Sequence, residues 1–583
     1  MFVIIHFSKT ISSMKFVFLF WIMVIFQVGV KSQVPAFPGA EGFGAKATGG
    51  RGGKVIYVTN LNINGAGSLQ AALNESGKRY ILFKVSGVIP GTVEVPNGHG
   101  DFTLAGQTSP SGIIVRGFQS YNGEDKSSSN MIIRHLRSRI GDIGYYPTPH
   151  WLGSDGLTLG GVHNTIVDRC SFAHANDEAV DISRSSALSI QNCILAETLG
   201  GHSSLGGMLI NYSSPTSRLD SLSIHHNIWN RIGGRMPEIS CETPFCNGKI
   251  INIELSNNIF WDPRIELWYE GVTGNNGFFN LRMNAINNYS YASTSYGNGM
   301  FHFDLLNFPQ NELFFSGNQM NLYPQYKDYE LFYCCNDFNL NKPNSQNGSA
   351  KKTNSRFGFP TVTYHSLSDL KTHIFKNAGA FPRDKMDLRL MSSVQMGTID
   401  TRTQDSDHYR DAFSVSNVKS APADSDNDGM PDYWESLMEL NPSVQDHNGL
   451  QLSKKITGIE GYTNIECYLN CLSDALTDGQ STGNCRIQLS GTSGIQEQLD
   501  ASEDILIFPN PTQDIFTVKL SHKGVSNGKI LITDGNGRFI QSIDCSHEII
   551  SISTYDWPQG IYFIQYTDQR GKISFKKISV QKI

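Results

Sequence analysis

The sequence predicts an all-β solenoid of stacked short strands, followed by a small helical calcium-loop module and a C-terminal β-sandwich. Three observations predict it. From Ile132 to about Leu322 short apolar runs recur, and Asn192, Asn227, Asn258, Asn288 and Asn318 follow them at intervals of 35, 31, 30 and 30 residues. A repeat of roughly 20 to 50 residues marks units that bury a core only against their neighbours. Asparagine suits the turns between parallel strands, because it tolerates left-handed backbone and its amides stack from coil to coil. The second observation is composition: 39 % apolar residues, 17 % charged residues and 56 glycines describe a folded, turn-rich chain rather than a helical or disordered one. The third is punctuation, since the composition turns to Ala, Pro, Ser and Asp between Ser414 and Asp428 and changes again after Ile505.

Taken in order, Met14 and Lys15 precede the apolar run Phe16 to Val30, and polar residues follow it, so residues 1–32 read as an export signal cleaved near Ser32. The run is shorter than the ~20 residues that span a bilayer. Residues 33–413 form the solenoid, in which Cys170 and Cys193 occupy matching points of two runs and are expected to stack, bonded or free. Cys241 and Cys246 are spaced to close a short loop. Residues 414–472 form the small module and 473–502, rich in Gly, Ser, Thr and Gln, a linker. From 503 to 583 short β-runs alternate with "DGNG" and "PQG" turns, as in a sandwich. A net charge of −6 offers no basic field for nucleic acid. A polyanionic partner therefore requires a local cation.

The sharpest chemical motif is "DSDNDGMPDYWE". Asp424, Asp426, Asp428, Asp432 and Glu435 fall at positions 1, 3, 5, 9 and 12 of an EF-hand loop, with Gly429 at position 6 and the carbonyl of Met430 at position 7. Such a loop wraps oxygen ligands around Ca2+ while the glycine permits the sharp turn. A second group lies in "VDRCSFAHANDEAVDIS", with Asp168, Asp177, Glu178 and Asp181. Asp177 and Asp181 would stand ~13 Å apart on a straight strand, so shared ligation needs a bend at a coil corner; turn aspartates without a ligand are the alternative. In "NRIGGRMPEIS", Arg231 and Arg235 follow a coil run and could project beside the acids of a neighbouring coil or make surface ion pairs.

From Ala36 to Ile399 the runs "FPGAEGFGAKATGGRGGKVIYV", "LAGQTSP", "VDRCSFAHANDEAVDIS", "HHNIWNRIGGRMP" and "AGAFPRDKMDLR" together resemble the pectate lyases of polysaccharide lyase family 1 in their Bacteroidota form. "IFPNPTQDIFTV" and "PQGIYFIQY" resemble the sorting domain of type IX secretion, which informs on address and not activity. The resemblance implies a right-handed parallel β-helix and cleavage of pectate by calcium-assisted β-elimination. It implies calcium on Asp168, Asp177 and Asp181, with Arg235 of the Arg-x-Pro motif as base. It also implies substrate contacts from Arg231, His202 and Ser204. Two positions depart from the pattern: Ser204 stands where many relatives have a lysine, and Ser240 where many have a second arginine. Both departures leave open a different uronate polymer or a silent carbohydrate-binding helix. The expected protein is a secreted monomer, extracellular or on the outer-membrane surface, whose partners are an acidic plant-type polysaccharide and the secretion machinery.

Overall fold

The computed structural model describes residues 33–121, 128–141, 155–199, 206–241, 244–265, 267–270, 280–333, 348–399, 409–413, 415, 418–478, 505–520, 528–534, 539–545, 549–567 and 573–582. The expected signal segment, most of the linker, His202 and Ser204 lie outside these residues. The chain forms two compact units, Met1–Ser490 and Gly491–Ile583.

Among the described residues of the first unit, parallel strands stack into sheets of eleven, seven and nine strands, the three faces of a right-handed parallel β-helix. Each coil contributes one short strand to each face. Strand alternation sends Leu157, Leu159, Val180, Ile182, Met208 and Ile210 inward to a continuous apolar core.

Two adjacent positions make each turn from the eleven-stranded to the nine-stranded sheet. The first takes left-handed backbone: His135, Arg169, Asn192, His226, Asn257 and Asn287 have φ between 52° and 56°. The second points inward and stacks. There the Nδ2 of Asn227 donates to Asn258 Oδ1 (3.1 Å), Asn258 to Asn288 (3.1 Å) and Asn288 to Asn318 (2.9 Å). Each of these Nδ2 groups also donates to a backbone carbonyl, so the buried ladder is satisfied at every rung. Asn192 is the exception to the repeat inferred from sequence. It occupies the left-handed position, and its coil places Cys193 on the ladder line, stacked with Cys170 as free buried thiols.

Two of the three faces are covered. Helices Leu367–Asn377 and Lys385–Met396 bury Leu370, Ile374, Met386 and Leu390 against Ile194, Ile228 and Trp261 of the nine-stranded sheet. Residues Ala36 to Ala47 lie on the eleven-stranded sheet, and so does the small helical module from 418 onward, through Met430, Trp434 and Tyr468 against Tyr80 and Leu82. The module is thus part of the first unit. Its last helix, Asn464–Thr477, starts at the Thr463 and Glu466 cap and runs through the expected boundary at Leu472, because Leu472, Ser473 and Ala475 are buried and Ser473 Oγ accepts from Arg134 at 3.0 Å. Cys241 and Cys246 form the expected disulfide. In the second unit, antiparallel sheets of three and four strands enclose Phe516, Val518, Ile530, Ile564 and Ile578, which makes the expected sandwich.

Candidate functional site

Among the described residues no apolar cluster covers the outer face of the seven-stranded sheet. Its outward row runs Gln119, Thr158, Asp181, Leu209, Glu238 across successive coils. Acids gather at one place on this face. Oxygens of Asp155, Glu178 and Asp181 lie within 4.8 Å of one another. Asp155 accepts from Thr158 Oγ1 at 2.8 Å and from the Glu178 N–H at 3.2 Å, which fixes its carboxylate at the corner before strand Leu157–Gly160.

Arg235 enters this cluster from two coils further along. It ion-pairs with Glu178, with Glu238 at 3.2 Å and with Asp177 at 3.8 Å. Its backbone is left-handed, φ 48°, and its carbonyl accepts from Met208 N–H at 2.6 Å. A non-glycine residue in that region costs about 1–3 kcal/mol and persists only where its surroundings hold it. Gly206 lets the neighbouring coil pass close by, since a Cβ there would stand 2.8 Å from Glu178 Oε1.

The electrostatics call for a cation. Burial, then the charge of Asp181, pushes the Asp155 carboxyl up to about 7. Burial, then Asp155 and Asp177, pushes Glu178 up to about 9, with Arg235 opposing. Burial disfavours the Arg235 charge, but Glu178 and Glu238 outweigh it and hold the guanidinium above its ordinary range. Hard carboxylate oxygens converging at one point are the donor set of Ca2+.

Two expected site residues belong elsewhere. Asp168 ends strand His163–Asp168 of the eleven-stranded sheet, around a corner from the cluster, and is fully buried. Its carboxylate accepts from Arg134 Nε (2.9 Å), Arg169 Nη1 (3.0 Å), Gln191 Nε2 (2.9 Å) and Asn192 Nδ2 (3.0 Å), so it has no lone pair directed at the acidic cluster. Burial would raise it, yet Arg169, Arg134 and the two amides outweigh burial and hold it well below the usual carboxylate range. Asp168 is therefore corrected from ligand to core ion pair. Arg231 follows strand Ile228–Asn230 of the nine-stranded sheet and faces Glu197 (3.6 Å) and Asp262 (3.8 Å), away from Arg235. It is corrected from substrate contact to structural ion pair. Asp155 was missed by sequence reasoning. It stands one coil, 23 residues, before Glu178, the same offset that pairs Thr158 with Asp181.

In the module, oxygens of Asp424, Asp426 and Asp428 converge within 4.8 Å, and so do those of Asp428, Glu435 and Asp446. Both Glu435 oxygens and Asp426 Oδ2 are buried without a hydrogen-bond partner among the described residues. Burial, then Asp428 and the other acids, pushes Glu435 up to about 8. These orphaned oxygens fit a calcium ion. Asp446, outside the twelve-residue motif, joins the set, whereas Asp432 accepts from Ser425 N–H and Oγ, each at 2.7 Å, and serves the turn. Met430 puts its side chain in the core beneath the loop and donates its N–H to Asp428. Tyr57 of the first strand donates to Asp424, tying the loop to the solenoid.

Residues 506–581 match the family described as the secretion system C-terminal sorting domain, which marks the chain for secretion. The chain is 30% identical over 444 residues to "Probable pectate lyase C" of Aspergillus fumigatus, covering 75% of this chain and 93% of that one. It is 30% identical over 455 residues to the protein of the same name from Aspergillus flavus, covering 76% and 94%. Among solved structures, a pectate lyase from a Paenibacillus species aligns with TM-score 0.38 and 15% identity over 58% of this chain and 95% of its own. Pectate lyase C from Erwinia chrysanthemi aligns with TM-score 0.32 and 16% identity over 58% and 96%.

Proposed function

The chain belongs to the pectate lyases, and from that membership we propose that it cleaves pectate by β-elimination on the open face of the seven-stranded sheet, with calcium as cofactor and Arg235 as base. The observation that carries the reading is one arginine held among Asp155, Asp177, Glu178, Asp181 and Glu238 on the uncovered face. Asp155, Asp177, Glu178 and Asp181 would hold the calcium. When bound, it supplies Lewis-acid withdrawal of charge from a uronate carboxylate.

The remaining steps belong to the chain. Arg235 takes the proton from C5 of a galacturonate. The C–H pair becomes the C4–C5 double bond, the C4–O bond breaks, and the departing oxygen is protonated by water. An arginine is an unusual base because its ordinary pKa lies above about 12. Here burial already disfavours its charge, and the acids beside it are what hold the proton. Arg235 therefore gives up that proton when those carboxylates are engaged elsewhere. Ser183, Asn211 and Ser240 form a second outward row beside the acids. The Asn211 Oδ1 and Ser240 Oγ are buried without partners among the described residues, and sugar hydroxyls are suited to satisfy them. Ser240 thus replaces a charged contact with a neutral one.

The sorting domain delivers the enzyme to the extracellular space or the outer-membrane surface, where it acts as a monomer. The test is to incubate the mature protein with polygalacturonate and calcium and follow ultraviolet absorbance. Accumulating unsaturated product supports lysis, and saturated reducing ends alone would mean hydrolysis.

A further inference from the structure

Four histidines meet at the turn after strand Asp220–His225, on the side of the coil that joins the eleven- and nine-stranded sheets. The His226 ring lies with its centroid 5.1 Å from that of His365 and 4.6 Å from that of His373, which are 4.8 Å apart. One nitrogen of each of these three rings lies within 4.8 Å of the other two. The row of left-handed turn residues builds this convergence. His226 is itself in that row, and Asn257 and Asn287 of the next coils grip the backbone of His365, through its N–H (3.0 Å) and its carbonyl (2.9 Å). Asn192 of the preceding coil holds His373 Nε2 at 2.9 Å.

The proton positions follow from these contacts. Asn192 Nδ2 donates to the Asp168 carboxylate, which only accepts, so Asn192 Oδ1 faces His373. His373 Nε2 must then carry the hydrogen, and its Nδ1 is a free lone pair. His226 Nδ1 shares one proton with His225 Nδ1 at 2.8 Å. His226 Nε2 is buried without a partner among the described residues, on a residue 3% exposed. The Glu41 carboxylate, close to His225 and His226, accepts from the Thr363 N–H at 2.8 Å.

The geometry points to a transition-metal site of the zinc class, formed by His226, His365 and His373, that staples the segment entering helix Leu367–Asn377 to the solenoid. Imidazole nitrogens select such ions, whereas the two acidic clusters are oxygen-only and suit calcium. A histidine ligand whose other N–H is fixed by a carbonyl, as His373 is by Asn192, has the arrangement that metal sites use to orient their imidazoles. His365 and His373 are partly exposed, so an ion has access and water completes its coordination.

The test is zinc titration of the full-length protein in calcium-saturated buffer, followed calorimetrically and by the visible bands of cobalt as a substitute ion. One equivalent is expected, with a rise in melting temperature. His365→Ala, at a partly exposed position outside the core, is expected to weaken binding at least about tenfold and to remove the zinc-dependent rise. His373→Gln is a second variant with the same expectation. Absence of stoichiometric zinc in the wild type, or equal affinity in wild type and both variants, overturns the proposal.

Discussion

Asp168→Asn separates the fold from the calcium site. The substitution keeps the shape of the side chain but leaves the fully buried Arg134 guanidinium without its carboxylate 2.9 Å away. It also turns an amide N–H toward a point where Arg134, Arg169, Gln191 and Asn192 all donate. Breaking a buried ion pair from one side costs about 3–5 kcal/mol, and that is the expected loss at neutral pH in a denaturant titration of the first unit. Because the folded-state value of Asp168 is depressed, its contribution is complete above the ordinary carboxylate pKa and disappears as pH falls through the lower folded value. Wild type and variant should converge in strong acid. Calcium affinity at the acidic cluster should change little once the variant is folded. A variant as stable as wild type at neutral pH, or one that loses calcium while keeping its stability, would refute the placement of Asp168 in the core.

Arg235→Lys keeps a cation but loses the planar fork, and turnover should fall by about 10²- to 10⁴-fold while substrate affinity changes much less, as read from kcat and KM separately. Near-native turnover would remove Arg235 from the base role. Glu435→Gln, or chelation of the wild type, should expose the segment around Asp424 to protease, since the acids there have no cation to offset their repulsion; identical digestion with and without calcium would sink the loop assignment. A chain truncated after Ser502 should retain full lyase activity in vitro and fail to be exported, because the second unit has its own core. A folded truncation without activity contradicts this.

The solenoid was legible because the asparagine period survives in the letters of the sequence. What the letters do not carry is which of two adjacent turn positions an asparagine occupies. Asn192 and Asn227 look alike, yet one has left-handed backbone and the other stacks in the core. Asp168 was assigned to the site through the resemblance, and its place along the chain did not contradict that assignment. Nine residues before Asp177, it reads as a neighbour, but the chain passes through a second sheet between them. Asp155 was hidden for the converse reason. Cross-coil neighbours are separated by a full coil, and this one is 23 residues long where later coils of the eleven-stranded sheet run to about 30, so no fixed offset finds them. Asp446 escaped because it joins the acidic loop from 18 residues beyond Asp428, outside any contiguous motif. Arg235, Asp177 and Asp181 were singled out through the resemblance, since their own spacing left ion pairs and unliganded turns equally open.

The most direct measurement is the initial rate of unsaturated product from polygalacturonate across a calcium titration, for wild type and for Asp155→Asn. Asp155 is the informative choice, because geometry alone assigns it to the cluster. The wild type should show no rate in chelator and saturate with calcium. Asp155→Asn should need at least about tenfold more calcium for half its maximal rate. A wild type fully active in chelator, or an Asp155→Asn variant with an unchanged calcium requirement, would contradict the assignment of this face as the calcium-dependent active site.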